Sequence, residues 1–196
     1  MNPQKTRLIL ASTSPYRKML LERLGIHFEI VAPKVDETPL PSESPAALAL
    51  RLSILKSKAG ATGRHDGLII GSDQVACLGT TLIGKPRTHE KALQQLLFAA
   101  GQTVTFYTGL AITDAASKDT KTALDVTRVT FRALTEDMIL RYLDLERPYD
   151  CTGSFKAEGY GITLMERIES QDPTGLIGLP LIELNKLLNQ CGVALP

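Results

Sequence analysis

A short stretch near the start of the chain places hydroxyl and cationic side chains where a strand gives way to a helix. The apolar run at residues 7–11 predicts a buried strand, and Ser12 and Ser14 follow it directly. Ser14 is a good N-cap, and Pro15 is favoured at the first helical position. Because a helix N-terminus attracts anions, Arg17 beside it predicts a phosphate-binding turn made with Ser12 and Ser14. The alternative is an ordinary cap with a solvated arginine.

Two acidic positions could serve phosphate chemistry as metal ligands or as a base. Asp73 interrupts the apolar run at residues 68–78, where a carboxylate is costly unless it is paired or bound to a metal. The alternative is a strand-end aspartate that accepts backbone N–H groups. Glu37 lies with Asp36 in the proline-rich loop at residues 32–45. A loop carboxylate together with Asp73 could hold Mg²⁺ or Mn²⁺, although two loop acids can also be merely solvated.

Two lysines and one further acid complete the set of reactive side chains. Lys56 shares a helical face with Leu52 and Leu55, where a lysine usually extends its ammonium group out to solvent. Lys85 precedes a rigid proline in the motif GKP. Either lysine could neutralise phosphate oxygens as a point charge. Glu158 lies among glycines and could accept two hydrogen bonds from one ligand edge, or it could be an exposed surface acid.

The rest of the chain supplies the elements that must position these side chains. Strand-like and helix-like segments alternate, so we predict an α/β protein with a mixed central β-sheet flanked by helices. Gly60 is expected to end the second helix, and Gly71 is expected to break its strand. The predicted strands are 7–11, 28–32, 68–78, 103–113 and 127–135, and the predicted helices begin after Ser14, Ser44, Thr88 and Thr135, with a last one inside 176–192.

Composition indicates an ordinary globular chain. The 196 residues predict a single domain, 1–196, with 43% hydrophobic residues and 22% charged residues. The net charge of +1 and the absence of tryptophan disfavour a nucleic-acid partner, and no apolar run is long enough to span a membrane. Cys77, Cys151 and Cys191 are scattered and odd in number, so we interpret them as structural and expect neither a disulfide framework nor a zinc site. With no convincing signal peptide, the cytoplasm is the expected location.

Several motifs, in order, resemble those of the Maf family of nucleoside triphosphate pyrophosphatases. They are STSPYR, VDETP, the helix lysine, GSDQV, GKP, GSFKAEG and LIGLPL, and the resemblance runs from Leu8 to about Leu188. It implies a mixed α/β sheet with a cleft between two lobes, related to the ITPase-like enzymes. The implied reaction cuts a nucleotide between its α and β phosphates, giving a nucleoside monophosphate and pyrophosphate. It also implies a small-molecule nucleotide substrate, a divalent metal (Mg²⁺ or Mn²⁺) and, at family level, a homodimer.

The resemblance also implies a role for each reactive side chain. Asp73 matches the position of the general base, and it also counts among the metal-linked acids; it is expected to serve mainly one of these purposes. The implied assignments are Ser12, Ser14 and Arg17 to the phosphates, Glu37 and Asp73 to the metal, and Lys56 and Lys85 to the charge of the triphosphate.

Three positions depart from the dTTP- and UTP-directed branch of the family and resemble its 7-methyl-GTP branch. Tyr16, Gln74 and Glu158 stand where the dTTP branch has arginine, threonine and glutamine. A carboxylate can accept both N1–H and N2–H₂ of guanine, and an anionic site favours the cationic 7-methylated ring. Tyr16 could stack on that cation or lie along the sugar.

Two other functions stay open at this stage. The first is a pyrophosphatase for UTP, dTTP or another modified nucleotide. The second is a non-catalytic nucleotide-binding regulator of cell division, against which the presence of both Glu37 and Asp73 argues, because binding alone requires no base.

Overall fold

One seven-stranded sheet organises residues 6–195, which are the residues that the computed structural model describes. The spatial order of the strands is β2-β1-β3-β5-β6-β7, and β4 pairs with β3 outside this path. β1 is parallel to β2 and β3, whereas the other pairings are antiparallel, so the predicted mixed sheet is confirmed. The strands are β1 Leu8–Ala11, β2 Glu29–Val31, β3 Leu68–Leu78, β4 Thr81–Ile83, β5 Thr103–Asp114, β6 Thr120–Phe131 and β7 Met165–Glu169.

Five α-helices flank the sheet within the described part of the chain. As predicted, the first four begin after a serine or threonine whose hydroxyl accepts a backbone N–H of the first turn. No described helix has both the length and the apolar character needed to cross a bilayer. The helices are α1 Pro15–Glu22, α2 Pro45–Ala61, α3 His89–Ala99, α4 Glu136–Glu146 and α5 Leu181–Gln190.

The hydrophobic core lies at both ends of the long central strands. One cluster packs β1, α1 and α5 against the start of β3 and the end of β5. The other packs α3 and α4 against the start of β5 and the end of β6. These are the cores of the two predicted lobes, and β3 and β5 run through both of them. Representative members are Leu10, Leu20, Ile70, Leu110 and Leu188 in the first cluster, and Leu96, Phe106, Phe131 and Ile139 in the second.

Three predictions about the elements are wrong. The strand predicted at 127–135 is β6 Thr120–Phe131, because its pairing with β5 begins at Thr120. The other two errors concern glycine. Gly60 lies inside α2, and Gly71 lies inside an uninterrupted β3. A Cβ atom on Gly71 would overlap the backbone of Ser53 and Ser57 in α2, and one on Gly109 of β5 would overlap the α2 backbone as well. These glycines therefore serve close packing rather than chain reversal, because only a missing Cβ lets α2 lie directly on the sheet.

Candidate active site

A cleft of about 650 Å³ lies between the two lobes and gathers every site residue that the sequence singled out. Its volume is within the usual range for small-molecule sites. The contributing side chains come from the β1–α1 turn, the loop before α2, α2 itself, β3, and the segments after β4 and α4. They are Ser12, Ser14, Tyr16, Arg17, Glu37, Lys56, Asp73, Gln74, Lys85 and Glu158.

Lys56 links the two predicted acids. Its Nζ donates to Asp73 Oδ1 and lies 2.7 Å from Glu37 Oε1. Lys56 and Asp73 are buried, so the lysine does not extend to solvent and Asp73 is held by an ion pair. Burial pushes the pKa of Glu37 upward, but the hydrogen bond and charge of Lys56, with the charges of Lys85 and Arg17, hold it below its ordinary value.

The acids near Lys56 form a pair of oxygen donors rather than a complete metal site. Asp36 does not join them, because its Oδ1 accepts the backbone N–H of Thr38 at 2.9 Å. Within residues 6–195, no group of three or more His, Cys, Asp or Glu side chains is arranged to hold a metal ion. Glu37 and Asp73 could supply two oxygen ligands, the donor type that a magnesium-type ion prefers.

The β1–α1 turn has its hydroxyls and its arginine arranged around a helix N-terminus. Ser14 Oγ accepts the N–H of Arg17 at 3.5 Å, and Ser12 Oγ accepts the N–H of Ser14 at 3.1 Å. Arg17 Nε donates to the carbonyl oxygen of Gly178 at 2.8 Å, so the guanidinium is held in place rather than solvated freely. Burial lowers the pKa of Arg17 against the opposing effect of nearby carboxylates, but a guanidinium stays charged in proteins.

Arg87 is a further cation near Lys85, and the sequence motifs do not mark it. Desolvation lowers the pKa of Lys85, and the positive charges of Arg87, Arg17 and Lys56 add to that effect. Arg87 lines the cleft, has a positive φ of 67° and pairs with Asp150. The signal that could have revealed it is the alternation of Lys, Pro and Arg at 85–87.

Tyr16 projects from the same turn and meets a cysteine across the cleft. Its hydroxyl lies 3.3 Å from Cys151 Sγ, and burial together with this contact raises the pKa of Tyr16. Cys151 lines the cleft, a position that its scattered spacing in the sequence did not reveal. Cys77 lies buried in β3 and Cys191 directly follows α5, and neither of them lines the cleft.

Gln74 and Glu158 both line the cleft and both carry hydrogen-bond acceptors. Gln74 Nε2 donates to the carbonyl oxygens of Gly175 and Leu176, at 3.0 and 2.9 Å, and to Thr108 Oγ1 at 3.2 Å. Because a carbonyl only accepts, these contacts fix the orientation of the amide and leave Oε1 for a ligand. Glu158 is exposed and also lines the cleft, so it is both a surface acid and a site residue.

A comparison with known protein families identifies the family of this chain. A family model described as "Maf-like protein" matches residues 7–191. The chain belongs to the Maf family. The resemblance noted in the motifs is therefore confirmed across nearly the whole sequence.

Several Maf-family relatives share about half of this sequence, and each is named "7-methyl-GTP pyrophosphatase". The Nitrosococcus oceani protein is 51% identical over 97% of this chain and 96% of its own. The Cupriavidus metallidurans protein is 54% identical over 94% and 93%, and the Thiobacillus denitrificans protein is 52% identical over 95% and 92%. Among solved structures, the Staphylococcus aureus Ham1 protein is similar with a TM-score of 0.48 and 15% identity, covering 65% of this chain and 72% of that one.

Proposed function

We propose that this Maf-family protein is a nucleotide pyrophosphatase that converts 7-methyl-GTP to 7-methyl-GMP and pyrophosphate. The observation that carries the proposal is the meeting of three cations with two acids in one cleft. Arg17, Lys56 and Lys85 supply positive charge for a triphosphate, and Glu37 and Asp73 supply oxygen donors. The activity named for relatives that share half of the sequence supports the same reaction.

The triphosphate is expected to lie against the N-terminus of α1. Ser12 and Ser14 each use their hydroxyl oxygen to accept a backbone N–H, so their O–H groups can donate to phosphate oxygens. Arg17 and Lys85 line the same cleft, where their charges are close enough to affect each other, and the helix dipole adds to their effect on a phosphate. Binding, on this proposal, uses fixed donors that need little rearrangement when charge develops on the phosphates.

Glu37 and Asp73 are the residues that would hold Mg²⁺ or Mn²⁺ together with phosphate oxygens. Such an ion, when bound, neutralises phosphate charge and lowers the pKa of a coordinated water. Glu37 has a side-chain exposure of 58%, against 11% for Asp73, so it is the more accessible of the two donors. A carboxylate that binds the metal cannot also take a proton freely, so we assign Glu37, the more exposed donor, mainly to the ion and Asp73 mainly to the proton of the attacking water.

Hydrolysis then requires a water placed in line with the bridging oxygen. The water oxygen bonds to phosphorus, the bridging P–O bond breaks, pyrophosphate departs, and the proton of the water passes to Asp73. Lys56 contacts both acids, so it orients Asp73 while adding positive charge beside the reacting phosphates. No covalent enzyme intermediate is needed for this sequence of events.

The nucleobase is expected to be recognised by acceptors and an aromatic ring. Glu158 and Gln74 line the cleft and carry acceptor oxygens, which would suit the N1–H and N2–H₂ donors of guanine. Uracil and thymine present one donor between two carbonyl oxygens, and these oxygens would face the same acceptors unfavourably. A 7-methylated guanine is cationic, so both the charge of Glu158 and the ring of Tyr16 favour it.

Pyrophosphate release from 7-methyl-GTP, GTP, UTP and dTTP, with Mg²⁺ or Mn²⁺, tests this proposal. We expect 7-methyl-GTP to be the preferred substrate and Asp73→Asn to abolish turnover, whereas Asp144→Asn, an exposed change on α4, leaves it unchanged. Preference for UTP or dTTP would keep the reaction and refute the assigned base recognition. Tight binding without any release would instead indicate a nucleotide-binding regulator.

A further inference from the structure

Two side chains on one face of α4 bind the loop that contains Glu158. Tyr142 Oη accepts the backbone N–H of Lys156 at 3.1 Å. One helical turn later, Glu146 accepts the backbone N–H of Tyr160 at 2.7 Å with one carboxylate oxygen and Lys156 Nζ at 3.2 Å with the other. The two oxygens of Glu146 therefore bridge positions two residues before and two residues after Glu158.

The two glycines after Glu158, Gly159 and Gly161, make these hydrogen bonds possible. A Cβ on Gly159 would overlap the carboxylate of Glu146, and one on Gly161 would overlap the backbone of Lys156. The absence of both side chains lets the loop fold closely onto itself and onto the end of α4. Contact with Glu146 thus explains Gly159, and the close return of the loop to Lys156 explains Gly161.

Tyr142, which binds the loop, and Phe155, which precedes it, are both buried in the core. Tyr142 is 4% exposed, and Phe155, just before the loop, is 5% exposed. The ring of Phe155 packs edge to face against Phe106 and Phe131, with centroids 5.6 and 5.4 Å apart. Glu158 is therefore an exposed side chain on a backbone held at both ends, which is the arrangement that places a recognition group accurately.

We propose that Tyr142 and Glu146 are positioning residues that determine nucleobase selectivity by holding Glu158 where it meets the base. The inference rests on the proposed function, since it assigns Glu158 to the nucleobase. Paired hydrogen bonds tolerate little movement of the acceptor, and a displacement of about 1 Å in a site can cost roughly 100-fold in rate. Neither Tyr142 nor Glu146 lines the cleft, so both act through the loop rather than on the ligand.

The first test compares kcat/KM for 7-methyl-GTP and for UTP in variants of α4. We expect Glu146→Ala to lower the ratio of kcat/KM for 7-methyl-GTP to kcat/KM for UTP by about tenfold or more. Tyr142→Phe should lower this ratio less. Glu146→Gln should restore most of the ratio, because its amide oxygen can still accept the N–H of Tyr160. Asp144→Asn is the matched control on the same helix and should leave the ratio unchanged.

The second test asks whether the effect passes through Glu158. In a Glu158→Ala background, Glu146→Ala should change the ratio no further, since coupled residues do not add independently. An unchanged ratio in Glu146→Ala, equal losses for both nucleotides, or a further change in the Glu158→Ala background would each overturn the inference. Should Glu146→Ala fail to fold, as judged by circular dichroism, Tyr142→Phe alone and in the Glu158→Ala background decides the same question.

The two proposals fail in distinguishable ways. A wild-type enzyme with no preference for 7-methyl-GTP over UTP would contradict the proposed function, and the positioning inference would fall with it. A wild-type enzyme that does prefer 7-methyl-GTP, together with unaltered α4 variants, would overturn only the positioning roles of Tyr142 and Glu146.

Discussion

Lys56 of α2 and Asp73 of β3 form a buried ion pair in the cleft, although 17 residues separate them in the sequence. The pair forms because α2 packs directly on the sheet, where Gly71 and Gly109 leave no Cβ in the way. Glu37 approaches the same ammonium from the loop before α2. One lysine therefore holds both predicted acids in place.

Removal of the Lys56 ammonium should damage both activity and stability. In Lys56→Met, the buried carboxylate of Asp73 loses its partner, and we expect the free energy of unfolding to fall by about 3–5 kcal/mol. Turnover should fall by roughly 100-fold, since a fixed cation near the phosphates is lost. Urea denaturation and pyrophosphate release measure the two effects, and Lys58→Met, exposed on the same helix, is the control. Unaltered turnover would contradict the assignment of Lys56 to the site.

Gly71 should tolerate no side chain, because the backbone of α2 occupies the space. We expect Gly71→Ala to lower the free energy of unfolding by about 1–3 kcal/mol through overpacking, and to reduce turnover by moving Lys56 away from Asp73. Gly84→Ala is the matched control for stability, because nothing lies within 4 Å of a Cβ there. Equal stability of the two variants in urea denaturation would refute this explanation of Gly71.

Arg17 and Tyr16 are neighbours with different expected effects. Arg17→Ala removes a cation from the phosphate side, so kcat/KM should fall by a similar factor for every nucleotide. Tyr16→Ala removes the ring expected to contact the base, so the order of preference among nucleotides should change. Steady-state kinetics on the four nucleotides measure both, and identical patterns in the two variants would contradict this division.

The alkaline limb of the pH profile should report Lys85. Its charged form is the one proposed to bind phosphate. Desolvation and neighbouring cations lower the pKa of Lys85, so it should lose its charge, and the enzyme its activity, at a lower pH than an ordinary lysine would. We expect kcat/KM to be constant below that pKa and to fall as the pH rises through it. Lys85→Arg should shift this limb upward, because arginine stays charged. A limb at the same pH in Lys85→Arg would assign it to another group.

Local patterns in the sequence were good guides to the elements and to the residue types of the site. Caps such as Ser44 and Thr135 were recognised because an N-cap bond involves neighbouring residues only. Gly60 and Gly71 were misjudged because their constraint comes from distant chain segments that no local pattern contains. Arg87 and Cys151 were missed for the same reason, since only the fold turns them toward the cleft. The single domain, the cytoplasmic location and the homodimer stay predictions.

By itself, the sequence determined the alternating elements, the family and the set of reactive residues, because periodicity, capping and motif order are written along the chain. Only the tertiary structure decided the partners: that Lys56 meets Asp73 and Glu37, that Gln74 donates to Gly175, and that Glu146 holds the loop of Glu158. The physical reason is distance along the chain. These contacts join segments far apart in sequence, and they exist only where α2, α4 and the sheet pack together.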